Sequence, residues 1–520
     1  MANPHLFNSR QKAVTNTRNA SGAPAYQRGP KQQLAQYAMT GCLNSTFYVN
    51  AQTQLEQVLK LCATLDPEFI AKTAIYCRER GHMKDMAALL TAVLAAKRSD
   101  WLAPVFERVI DNGKMLRTWV QILRSGATGR RSLGTRPKRL VQGWLNQANE
   151  QQLLQAAVGN QPSLADVVKM VHPKPAEPWR EAFFAWQLGR PVERSALPAA
   201  TQALLAFRER HEELPNVPFL LLSNETLSAA QWGELAERMG WQALRMNLNT
   251  LARNGAFKIK GVAQTVACRL ADPDLIRRSR VLPYQLLSAF KMAGDEVPAV
   301  VREALQDALD LALANVPALS GRVVVCPDVS GSMASPVTGQ RQGGTSSVRC
   351  IDVAALVAAA LLRTNPATRV LPFEHKVVDL TLNRRDSVMT NAQKLAAIGG
   401  GGTSCSAPLA WLNQQSEPVD LVIFVSDNES WIDQRYHNRT ATMAQWEILK
   451  RRNPQARLVC IDLQPGASTQ AADQDDILNI GGFGDSVFEM VAEFANGGFG
   501  AEHWVRAIEA VELTQMAKAA

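Results

Sequence analysis

Asp328, Ser330 and Ser332 stand in a D-x-S-x-S spacing directly after the apolar run RVVVCP. A carboxylate and two hydroxyls on one tight turn present one face of an octahedron of oxygen donors, the arrangement a hard cation such as Mg²⁺ takes while keeping several waters. Gly331 between the hydroxyls lets the backbone curl so that both point the same way. Two further oxygen groups occur in comparable contexts, Thr403 after GGGG and Asp427 after VIFVS. These five residues are the candidate ligands of a divalent cation, Mg²⁺ foremost, with Mn²⁺ or Ca²⁺ as alternatives.

An Asp at a strand end can instead be a nucleophile towards phosphate, which would make this part of the chain a metal-dependent phosphohydrolase. Haloacid-dehalogenase-type phosphatases carry D-x-D there, whereas the third position here is Ser330. No H-E-x-x-H, G-x-S-x-G or P-loop lysine motif occurs, and no catalytic base or nucleophile is identifiable, so the expectation is a protein that is not an enzyme.

A second chemistry lies earlier in the chain. Arg130, Arg131, Arg136, Lys138 and Arg139 cluster among Gly and Ser, a composition suited to gripping phosphates by charge and by backbone N–H groups. The net charge of +9 conceals an asymmetry, since residues 1–318 hold 39 Lys and Arg against 26 Asp and Glu, and residues 319–520 hold 17 against 21. Before residue 145 the count is 21 basic to 8 acidic, the sign expected of a polyanion partner. A generic solvated surface is the competing explanation.

The elements that must position these groups change type along the chain. Residues 1–30 have no Asp or Glu and no apolar period, so a flexible basic arm is expected. From 31 to 316 apolar residues recur at three- and four-residue spacings, with Pro or Gly at the breaks. Phe69, Ile70, Ala74, Ile75 and Cys77 suit one helix, Met86, Leu89, Leu90, Val93 and Leu94 the next, with Gly81 at the turn. Repeated helix pairs point to an α-solenoid, although an irregular bundle would give the same period. After Pro317 the runs RVVVCPDVS, TRVLPFEH, VDLVIFVSDNE and ARLVCIDL alternate with helical stretches. That pattern predicts an α/β doubly wound, Rossmann-like domain over 319–510, which binds ligands at the carboxyl ends of its strands. No apolar run reaches membrane-span length and MANPHLFNSRQK lacks a signal-peptide core, so a cytoplasmic location without membrane attachment is expected. Eight scattered cysteines without C-x-x-C suggest small buried hydrophobes, Cys405 beside the glycine run being the one to watch.

D-x-S-x-S with a later Thr and a later Asp resembles the metal-ion-dependent adhesion site of von Willebrand A domains. The resemblance implies that Ser330, Ser332 and Thr403 bind the ion directly, with Asp328 and Asp427 ligating or acting through water, and that a carboxylate or phosphate from outside completes the coordination. The stretches PKQQLAQYAMTGCLNSTFY, YCRERGHMKDM, LRSGATGRRSLGTRPKRLVQGWL, VVKMVHPKP, GGGGTSCSAPLAW, FVSDNESW and ILNIGGFGDSVFEMVAEF, in that order, resemble the Ro autoantigen family. That likeness implies a ring of HEAT-like repeats (the TROVE module) followed by the A-type domain. It further implies a hole that admits single-stranded ends of misfolded RNA, an outer basic surface for small noncoding Y-like RNA, and RNA contacts at His172 and Lys174. A monomer apart from RNA, with an exoribonuclease or other RNA-processing partner, is the accompanying expectation. Gln151 to Pro162 contain no Lys or Arg, a departure from the family that weakens the expected grip there. Gly344 and Thr345 belong to a polar rim insertion with no assigned role. The main alternative reading is a metal-dependent protein-adhesion scaffold that recruits an acidic partner.

Overall fold

A computed structural model describes residues 13–513, apart from 42, 212, 224, 280, 282, 314–315, 341–347, 366, 434–437 and 498–501. The rim residues Gly344 and Thr345 therefore lie outside the described residues. The chain divides into two units, one from residues 1–61 and 315–507, the other from 62–314 and 508–520.

Among the described residues the first unit contains eight strands: β1 (Thr17–Arg18), β2 (Pro24–Gln27), β3 (Val323–Pro327), β4 (Arg369–Val370), β5 (Leu421–Ser426), β6 (Arg457–Asp462), β7 (Ser468–Thr469) and β8 (Ile477–Gly481). Five of them form a parallel sheet in the order β4-β3-β5-β6-β8, as the alternating apolar runs predict. In register, Val323 faces Leu421 and Leu421 faces Arg457. β3, β5 and β8 are buried at every residue, because crossover helices such as Cys350–Thr364 and Ala441–Arg452 cover the faces of a parallel sheet. The strand order reverses between β3 and β5, which is where this sheet type opens a crevice for ligands. Phe373 and Phe424 meet edge to face at 5.6 Å in a core that also holds Trp446 and Tyr26.

Tyr26 marks a correction. The described part of the expected arm, residues 13–30, is an ordered hairpin: β1 pairs with β2, and β2 with β7. The helix Pro30–Thr40 then lies against β8. Gln36 donates to the Gln464 carbonyl at 2.9 Å, and it comes so close to Gly481 that a Cβ there would overlap its side chain. Arg28 is fully buried in an ion pair with Asp462. The units thus divide near residue 61 rather than at residue 30, and the helical unit interrupts the A-type one. Composition hid this because two short strands carry no helical period, and Ala25 and Tyr26 are the only apolar residues they bury.

The second unit is helical from Pro67–Glu79 to Ala299–Ala312. Asp66 caps the first of these helices by accepting from the Glu68 N–H, and that helix packs on Asp85–Ala96, with all ten apolar positions predicted for the pair buried. Seven cysteines are described, all unbonded to one another, and six are buried; Cys405 is among the buried ones and its thiol pKa is pushed well up by burial. Among the described residues no helix is long and apolar enough to cross a membrane.

Candidate functional site

The chain leaves β3 at Pro327, and the Asp328 N–H donates to the Val425 carbonyl at 2.9 Å, extending the ladder by one residue. Asp328 is wholly buried, and its carboxylate accepts from the Ser330 N–H at 2.9 Å and the Ser426 hydroxyl at 2.6 Å. Those two bonds fold the turn back so that the Ser330 and Ser332 hydroxyls face each other at 3.3 Å. The Gly331 N–H donates to the Gly401 carbonyl at 3.1 Å, and a Cβ there would sit 3.3 Å from that oxygen, so this glycine serves close approach between loops as well as the curl. Gly401, at φ 72°, turns the second loop under the first and delivers Thr403.

Thr403 is 1% exposed, and its Oγ1 has no hydrogen-bond partner among the described residues. Asp427, directly after β5, is buried beside Ser332. Burial first, and then the neighbouring Asp328, push its pKa well above the usual carboxylate range; burial likewise raises Asp328, partly offset by its hydrogen bonds to Ser426 and Ser330. All five predicted ligands therefore converge at the switch point. Two buried carboxylates in each other's field and an orphaned buried hydroxyl fit a cation, which would supply the missing positive charge and the missing partner. Two carboxylates and three hydroxyls suit Mg²⁺; among the described residues no group of three or more His, Cys, Asp or Glu is placed to hold a metal ion.

Several residues of this site escaped the sequence reading. Asp433 accepts from Ser404 and Ser406 at 2.6 Å and also from Ser430, while the Ser430 hydroxyl accepts from the Cys405 N–H at 2.9 Å. It thereby locks the Thr403 loop to the Asp427 loop. Glu429, half-buried, accepts the N–H groups of Ala20 and Ser21 at 3.2 and 3.0 Å. Burial first, and then the charge of Asp427, push the Tyr48 phenol up to about 12.

The helical unit holds the second set. Helix Thr135–Gln147 carries Arg136, Lys138 and Arg139 on its first turns. Two residues of the same helix pin the His172–Lys174 turn: Gln142 donates to the carbonyls of Val171 and His172 at 2.6 and 3.3 Å, and Asn146 to that of Lys174 at 3.5 Å. His172 ends helix Leu164–Val171 in the left-handed region at φ 50° and is exposed, as is Lys174. The two predicted groups are thus neighbours. The cations are not equivalent, however. Arg130 donates to the carbonyls of Ala95 and Leu133 at 2.7 and 2.9 Å, and Arg136 to those of Ser99 and Asp100 at 2.8 and 3.1 Å, so both guanidiniums hold the fold together. Arg131 and Arg139 are exposed and Lys138 is half-buried.

A D-x-S-x-S turn, a threonine loop and an aspartate gathered at the switch point of this parallel sheet define a von Willebrand A-type domain, here interrupted in sequence by a helical unit. Residues 322–495 match the Ro60 vWA domain family and residues 167–307 the TROVE domain family; the latter span includes His172 and Lys174 but not the cluster at 130–139. The RNA-binding protein RO60 of Deinococcus radiodurans is 26% identical over 533 residues, spanning 92% of this chain and 95% of its own length. The RNA-binding protein RO60 of Caenorhabditis elegans is 26% identical over 276 residues, 50% of this chain and 40% of that one. The crystal structure of the Deinococcus radiodurans RO (RSR) protein has the same fold, with a TM-score of 0.61 at 21% identity over 90% of this chain and 100% of that chain. The chain is thus similar to the RO60 proteins over nearly its whole length.

Proposed function

We propose that this protein is a noncatalytic RNA-binding protein that holds small noncoding Y-like RNA and single-stranded ends of misfolded or structured RNA, acting as a ribonucleoprotein in cytoplasmic RNA quality control or processing. An exoribonuclease or a similar processing protein is the partner class that would act on the RNA it holds. The observation that carries the reading is the pinning of the His172–Lys174 turn to the helix bearing Lys138 and Arg139, which brings charge and a stackable ring together. The A-type unit would hold a divalent cation, most simply Mg²⁺, through Ser330, Ser332 and Thr403 with Asp328 and Asp427 behind them; bound there, the ion supplies positive charge and a Lewis-acid face. The relatives give no support to the phosphohydrolase or the adhesion scaffold as the function of the whole chain. Sequencing the RNA that copurifies with the protein tests the reading. A defined small structured RNA is expected, and background degradation products alone would count against it.

A further inference from the structure

Gly401 and Gly402, immediately before Thr403, are where two neighbouring loops close onto a third. Against Gly401 lies Glu374, in the bend 374–376 that follows β4: a Cβ on this glycine would overlap its carboxylate, and its carbonyl accepts from the Ser404 N–H at 2.9 Å. Against Gly402 lie Trp431 and Ile432, whose side chains a Cβ there would also overlap. The N–H groups of Trp431 and Ile432 both donate to the Thr403 carbonyl, at 3.2 and 3.1 Å, so the indole is tied through its own backbone to a candidate ligand. Yet Trp431 is 54% exposed and Ile432 43%, and Trp431 is the only exposed tryptophan among the described residues. In the bend on the Gly401 side, His375 Nδ1 stands 3.0 Å from Glu374 Oε1, which orients the imidazole, and His375 and Lys376 are both exposed.

An exposed indole fixed beside an ion site is a stacking platform next to a positive charge. A nucleotide offers both matching parts in one unit, a phosphate oxygen for a hard ion and a flat base for the ring, and the imidazole and ammonium at 375–376 suit further phosphates of the same strand. We propose that the rim of the metal site binds a nucleotide of single-stranded RNA, its phosphate on the ion and its base on Trp431. The strand must be single, because a base stacked in a duplex has no free face. An acidic peptide would supply an oxygen for the ion, but its one carboxylate leaves His375 and Lys376 without counterparts. The inference rests on the five-residue cation site and the RNA-binding reading above, and it adds an ion-dependent RNA contact within the A-type unit.

The test uses the full chain and a short fluorescent oligoadenylate, with anisotropy read in Mn²⁺ and in EDTA, while electron paramagnetic resonance of free Mn²⁺ follows the ion itself. Wild type is expected to bind the strand more tightly with Mn²⁺ than in EDTA, and Thr403→Ala to lose that gain. Trp431→Leu, which keeps an apolar side chain on Gly402, should weaken the Mn²⁺-dependent binding about five- to 150-fold, the loss of one stacked base, with Mn²⁺ affinity unchanged. Trp431→Phe, which keeps a flat ring, should retain most of it. Equal strand affinity in Trp431→Leu and wild type, or no Mn²⁺-dependent gain in wild type that binds Mn²⁺, would overturn the nucleotide site and leave the cation site standing. Mn²⁺-dependent capture of a Glu-bearing peptide in place of the strand, lost in both Thr403→Ala and Trp431→Leu, would assign the rim to a protein and overturn the proposal too. Absence of Mn²⁺ binding sensitive to Thr403→Ala would overturn the cation site and the nucleotide site together, and loss of all strand binding, in EDTA included, would overturn the RNA-binding reading as well.

Discussion

The metal-site loops and the basic helical surface teach opposite lessons about polar side chains. At the carboxyl edge of the sheet the polar groups are buried or half-buried and most answer to another: Asp328 to Ser330 and Ser426, Asp433 to Ser404, Ser406 and Ser430. A residue type there is fixed by what its neighbours require, so one orphan such as Thr403 Oγ1 is informative. On the helical unit, which holds 34 Lys and Arg against 27 Asp and Glu where the other unit holds 22 against 20, cations are plentiful and mostly exposed. A cation there has no role legible from its type: Arg130 and Arg131 are adjacent in sequence, yet one is tied to two carbonyls and the other faces solvent.

The contrast is broken most severely at Arg28. Arg28→Ala leaves Asp462 buried without its partner and is expected to cost about 3–5 kcal/mol, whereas Arg131→Gln should stay within about 0.5 kcal/mol. Denaturant unfolding of the two variants measures the gap, and equal midpoints would erase the distinction between the regions. On the basic surface, changing Arg131, Lys138 and Arg139 together to Gln should reduce the slope of log RNA affinity against log salt by roughly 2 to 3 units if all three touch phosphate. Adding Arg130→Gln to that set should change stability more than slope, since its guanidinium holds backbone. Coincident slopes for the folded triple variant and wild type would show a merely solvated helix face.

In the metal loops, Asp328→Asn keeps the shape of the side chain and should weaken divalent-ion binding at least about tenfold, while circular dichroism of the helical unit stays unchanged. Calorimetry that returns wild-type affinity would remove Asp328 from the site. The smallest effect concerns pH. The folded pKa values of Asp328 and Asp427 are raised, so the stability linked to their protonation is fully present below the unfolded value of about 3.9 and is lost as pH rises through the folded values. Ion-free protein should therefore lose thermal stability on going up from about that pH, and Mg²⁺ should restore most at the alkaline end. Asp427→Asn should flatten the profile; identical profiles would show that burial does not hold these carboxylates protonated.

How much was legible followed sequence distance. Asp328, Ser330 and Ser332 are alternate residues of one turn, and Thr403 and Asp427 each follow a local signal, so their convergence could be read from the strand pattern. The parallel sheet and the buried faces of the helix pair at 67–96 were equally local. Asp433 and Glu429 act through partners in other loops or hundreds of positions away, and nothing near them in sequence announces it. The ordering of residues 13–30 failed for the same reason: a hairpin supplies no amphipathic helix, and its order comes from β7 and Asp462.

The Arg28–Asp462 pair joins groups 434 positions apart, and that separation sets an order of events on the ribosome. At about 5–20 residues per second, Arg28 has been made for roughly 20 to 90 seconds before its carboxylate exists. During that interval β2 has no β7 to pair with, and the helix Pro30–Thr40, with Gln33 to Thr40 destined for burial, has no β8 beneath it. The helical insertion, rich in contacts between near neighbours, can be complete by then. The nascent chain therefore carries a finished helical body with an uncovered leading segment, and the last strand of the sheet is what retires that segment from the reach of chaperones and proteases.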